Sequence, residues 1–123
     1  MRERNVMLVH YVSGIGILVF GAVHLFTVFF TKPLGETIWE TTMLFEGHQF
    51  AVLEVYRNAL LATSLWFLLL FTTIHALNGL RVIITELFPV PVVRTASKYV
   101  LFALGVFLMV YGTRTIIIAH MIG

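Results

Sequence analysis

Long stretches of this chain carry no charge, and the charged residues gather at their edges. No Asp, Glu, Lys or Arg occurs from Asn5 to Thr31 or from Asn58 to Leu80, and from Tyr99 onward Arg114 alone interrupts the run. A helix needs about 20 consecutive apolar residues to cross a hydrocarbon core of about 30 Å. The pattern therefore predicts three spanning helices, over roughly 7–30, 58–84 and 98–121. Lys32-Pro33-Leu34-Gly35 ends the first, Pro89 and Pro91 break the chain after the second, and Arg94 and Lys98 open the third. Ser13, Gly14, Gly16 and Gly21 are small residues that let another helix approach the first closely. The expected architecture is all-α: a single membrane domain, 1–123, with three helices running up, down and up.

Composition agrees with the pattern. The chain is 59% hydrophobic and 11% charged, which sets aside an ordinary soluble domain. The net charge of +2 follows the helix edges and gives no reason to expect nucleic-acid binding. Without cysteine, the chain alone builds no disulfide, thiolate metal site or iron–sulfur cluster. Met1-Arg2-Glu3-Arg4 resembles the basic start of a signal peptide. The apolar run behind it is too long and lacks a small-residue cleavage site, so a retained first helix is expected. The connection from Thr31 to Arg57 is acidic, through Glu36, Glu40, Glu46 and Glu54, and its Trp39, Phe45 and Phe50 suit the headgroup level. Arg2, Arg4, Arg81, Arg94 and Lys98 fall on one side, and Lys32, Arg57 and Arg114 on the other. The excess of basic residues predicts a cytoplasmic N-terminus and an outer C-terminus.

Two histidines stand inside apolar runs, where a polar ring needs a partner and is functional by default. His75 is followed four residues on by Gly79, about 40° away on the same helical face. Asn78 and Arg81 flank it, and Glu86 lies near the same face further on. In the first helix His10, Ser13, Ile17, Gly21 and His24 share one broad face. His24 is expected in the outer half of the membrane and His75 in the inner half, offset by about 10 Å along the normal. A histidine with a glycine one turn away suits a flat ligand such as haem. Each would then give one axial ligand and a partner chain's helix the other. The same residues equally suit a hydrogen bond across a helix interface, the glycines suit helix packing, and Arg81 suits a snorkelling anchor. Arg114 is expected to snorkel, and His48 and His120 look peripheral.

Two motifs extend this reading. His10-Tyr11-Val12-Ser13-Gly14 with Ala22-Val23-His24-Leu25, and Ile74-His75-Ala76-Leu77-Asn78-Gly79-Leu80-Arg81, resemble the cytochrome b membrane anchor (the C-type subunit) of succinate dehydrogenase. The likeness in helix number and spacing extends along nearly the whole chain. It implies an integral protein of a prokaryotic cytoplasmic membrane, held with a second three-helix anchor, an iron–sulfur subunit and a flavoprotein. Electrons from succinate would pass to a quinone near the cytoplasmic face. His75 matches the family's helix-II haem ligand and His24 the helix-I ligand of its two-haem branch. The resemblance thus implies two b-type haems shared with the partner anchor, with Gly79, Gly21 and Asn78 beside them and Arg81 toward the propionates. Tyr11 stands where many members carry a quinone-site arginine, and Val82 where some one-haem members have a second histidine. His10, Tyr11 and Ser13 are the quinone candidates on this chain.

Two rival classes are open. A small multidrug-type transporter would need an acid within the membrane, whereas every Glu here lies at an edge or in a connection. A haem-free structural anchor would keep the same surfaces.

Overall fold

The computed structural model describes residues 3–30 and 57–122. Three helices account for nearly all of them: α1, Glu3–Phe30; α2, Ala59–Leu87; and α3, Pro91–Ile122. All three are long and apolar enough to cross a membrane. The connection 31–56, with Trp39, Phe45, His48, Phe50 and its acidic residues, lies outside the described residues, as does Arg2.

Each helix outruns its apolar stretch, because backbone hydrogen bonding continues where the hydrocarbon ends. α1 starts at Glu3, an acid placed in the first turn where the helix dipole favours it. Asn58 caps α2: its side-chain oxygen accepts from the backbone N–H groups of Leu60 (2.9 Å) and Leu61 (3.3 Å). α2 runs past position 84 to Leu87, and Phe88 closes it by donating its N–H to the Ile84 carbonyl at 2.9 Å. α3 begins at Pro91 rather than near Lys98, since a proline in the first turn forfeits no helical hydrogen bond. Between them Phe88-Pro89-Val90 makes a three-residue link, with the Val90 N–H donated to the Phe88 carbonyl at 2.8 Å.

The helices alternate in direction, as the pattern predicted. Going up α1, Gly14 faces His75, Gly16 faces Phe71 and Gly21 faces Leu68, so α2 descends. Leu77 and Leu69 of α2 meet Gly105 and Gly112 of α3 in turn, so α3 ascends. α2 is the central element and packs against both neighbours.

Small and hydroxylated residues fill the contacts. Ser13, Gly16, Thr27, Ala62, Thr73, Ser97 and Leu101 are buried, while Leu18, Phe26, Phe102, Phe107 and Val110 are exposed. This inverts a soluble core and is how helices pack in lipid, where close backbone approach replaces the hydrophobic effect. Several buried hydroxyls bond back into their own helix, Thr27 to the Val23 carbonyl (2.8 Å) and Ser97 to that of Arg94 (3.1 Å). Within its most apolar stretch α3 buries a smaller share of its residues than α1 does, so α3 gives most of its surface to the surroundings.

Candidate functional site

Glycine allows the backbones of α1 and α2 to meet near the N-terminal end of α1. A Cβ at Gly16 would lie 2.5 Å from the Phe71 ring, and one at Gly14 would lie 3.3 Å from Cε1 of His75. Into this contact α2 sends His75, half-buried, and α1 sends His10 and Ser13. The two imidazoles stack with centroids 3.9 Å apart and planes 19° from parallel. His75 Nδ1 lies 3.1 Å from the His10 carbonyl oxygen and 3.1 Å from Ser13 Oγ. Ser13 Oγ itself donates to the His10 carbonyl at 3.0 Å.

That triangle selects a tautomer. A carbonyl oxygen only accepts, so the His75 nitrogen beside it, Nδ1, carries a proton, and in the neutral ring the lone pair is then on Nε2. One turn further along α2, Asn78 Nδ2 donates to the Val6 carbonyl at 3.2 Å. Val6 and His10 are four residues apart on α1, and both carbonyls use a second lone pair to receive α2. His10 stands beside Gly79, its Cε1 3.4 Å from where an added Cβ would lie, and Gly79 also lines an open cleft.

The other expected residues are distributed around this centre. His24 is exposed, and Gly21 has only Leu68 near it, 3.9 Å from an added Cβ. His75 is level with His10–Gly14, so His24 lies about 15–21 Å further along α1, more than the offset expected from the spans. Tyr11 and His10 line a cleft of about 380 Å³ with Met7, Asn78, Gly79 and Val82. Ser13 does not line it; its side chain is 2% exposed and bonded to His75. Arg81 is six residues from His75, about 120° round the helix. It lines a different groove, between α2 and α3, with Lys98. Glu86, Arg114 and His120 are exposed. Among the described residues no three His, Asp or Glu side chains converge on a metal-sized site.

Two contacts had no signal in the sequence. The stacking of His10 on His75 depends on the register of α1 against α2. The 2.8 Å hydrogen bond from Trp66 Nε1 to Thr113 Oγ1 depends on that of α2 against α3. Periodicity gives the face of each residue but not the height at which two faces meet.

Three spanning helices joined through small residues, with a tautomer-fixed histidine at one crossing, define a small polytopic membrane protein built around an intramembrane polar site. The chain belongs to the succinate dehydrogenase/fumarate reductase transmembrane subunit family, whose profile matches residues 5–114. Comparison with curated proteins and with solved structures returned no match in either. Family membership makes the chain a membrane subunit of an oxidoreductase complex, associated with that complex's other subunits, and sets the transporter reading aside.

Proposed function

We propose that this chain is the haem b-binding anchor of a succinate:quinone oxidoreductase, of the C-type, two-haem branch. The observation that carries the proposal is the bond from His75 Nδ1–H to the His10 carbonyl. Axial histidines need their second nitrogen tied to a fixed acceptor, which sets ring orientation and basicity. His75 has that arrangement, and its Nε2 lone pair is the donor a haem iron takes. On donor chemistry the residues fit the group. When bound, a b-type haem supplies a one-electron ferric/ferrous couple.

His75 holds the inner haem. His24, exposed on α1, is free to meet a partner helix and hold a second. Gly21, with little against it, leaves room beside His24. Asn78 ties α2 to α1 and so steadies His75 from one turn away. His10 and Tyr11 line the cleft that a quinone headgroup would enter, and Ser13 acts on that region through His75. The partners are a second three-helix anchor, an iron–sulfur subunit and a flavoprotein. The N-terminus is cytoplasmic, in a prokaryotic membrane, and this chain performs no succinate chemistry itself.

The test is a reduced-minus-oxidised spectrum of the purified complex, with haem counted per covalent flavin. Two b-type haems per flavin are expected. His75→Ala should abolish one b-band, and His24→Ala the other.

A second reading has an observation of its own. His75 is stacked, hydrogen-bonded and held against Gly14 entirely by groups of α1. A haem-free anchor would use it that way, and an unchanged spectrum in assembled His75→Ala complex would decide for that reading.

A further inference from the structure

A cavity larger than the cleft at His10 and Tyr11 lies on the other side of α2. A groove of about 700 Å³ runs between α2 and α3, walled by Leu77, Phe102, Val106 and Met109. Arg81 and Lys98 both line it, the first near the end of α2 and the second near the start of α3. The groove therefore has two cations toward one end and a mostly apolar wall along the rest, with Thr73, Asn78 and Tyr99 as its uncharged polar residues. No carboxylate lines it, and neither cation makes an ion pair with any described residue. From Lys98 to Val110 it follows α3 for about 18 Å at 1.5 Å per residue. That is close to the half-thickness of a bilayer's hydrocarbon core, about 15 Å.

We infer that this groove is a binding site for one anionic phospholipid of the leaflet on the Arg81 side. The phosphate sits between Arg81 and Lys98, and an acyl chain lies along Leu77, Phe102, Val106 and Met109. A guanidinium presents paired donors to phosphate oxygens, and an ammonium beside it adds a point charge. Long basic side chains are tolerated at a membrane edge with their stems over apolar surface and their charges at the headgroup level. Charge complementarity argues for an anion, and the length of the apolar wall argues for a tail attached to it. No histidine lines the groove, which distinguishes its occupant from a ligated haem. Arg81 is thereby assigned to a lipid phosphate rather than to a haem propionate.

The test uses the assembled complex, reconstituted in phosphatidylcholine vesicles doped with phosphatidylglycerol and then re-extracted. Native mass spectrometry counts the phosphatidylglycerol retained per complex. Three variants of this chain are compared with the parent: Arg81→Gln with Lys98→Gln, Val106→Trp, and Arg94→Gln. Val106→Trp fills the groove and keeps both charges, so it decides the matter if the double variant fails to assemble. Arg94 is exposed, on the same end and outside the groove lining. Parent and Arg94→Gln should retain one phosphatidylglycerol more than the double variant and Val106→Trp. Equal retention in all four overturns the site, and so does an equal loss in Arg94→Gln, which would mean unspecific surface charge. Lipid retained by the double variant while the haem potential moves would give Arg81 to a propionate instead. Cross-linking of Phe102 to a partner's helix would give the groove to that helix.

Discussion

The hydroxyl of Ser13 and the carbonyl of His10 both bear on one nitrogen, His75 Nδ1, yet they are not equivalent. The carbonyl fixes the proton, and the hydroxyl adds polarity beside it. On the proposed haem ligation by His75, Ser13→Ala should therefore preserve haem binding and alter its potential. A net hydrogen bond is worth about 0.5–1.5 kcal/mol, which for a one-electron couple is on the order of 20–60 mV. Redox titration of the b-band in Ser13→Ala against the parent measures this. No shift would mean that Ser13 serves packing alone. The sequence marked His75 as a polar residue in an apolar run, because a polar group in lipid has few reasons to be there, and it singled out Ser13 for helix packing and, by resemblance, His10 and Ser13 for a quinone. It did not show that all three meet at one point, since that needs the register of two helices.

Glycines differ in what they contribute to each helix pair. Gly16 has the Phe71 ring at 2.5 Å from an added Cβ, whereas Gly21 has only the end of Leu68 at 3.9 Å. Gly16→Val should destabilise the α1–α2 pair by about 1–3 kcal/mol, the usual cost of overpacking. Gly21→Ala should stay within about 0.5 kcal/mol. The thermal midpoint of the purified complex separates the two, and equal midpoints would refute this account of α1–α2 packing. Trp66 and Thr113 pin α2 to α3. A double-mutant cycle with Trp66→Phe and Thr113→Val should return about 0.6 kcal/mol, typical of hydrogen bonds between membrane helices. Helix number, order and direction were legible because apolar length alone dictates them. Helix ends were less so: α3 starts at Pro91 because polar flanks stay helical beyond the hydrocarbon, and hydropathy does not register that.

As a whole the molecule is incomplete on its own. Large apolar side chains cover its outer faces, above all those of α3, and they belong against lipid or a partner subunit. Its orientation is open to a direct test, because the chain contains no cysteine. In intact cells a membrane-impermeant maleimide should label His120→Cys at the end of α3 and leave Val90→Cys in the α2–α3 link unlabelled until lysis. The reverse pattern would invert the topology. The Phe88-Pro89-Val90 link, finally, has a mechanical consequence. It ties α2 to α3 at one end, and the Trp66–Thr113 bond ties them toward the other. Fastened twice, the hairpin cannot slide. In a thinner bilayer it must lean as one stiff plank, and α1, held to α2 through His75–His10 and Asn78–Val6, leans with it.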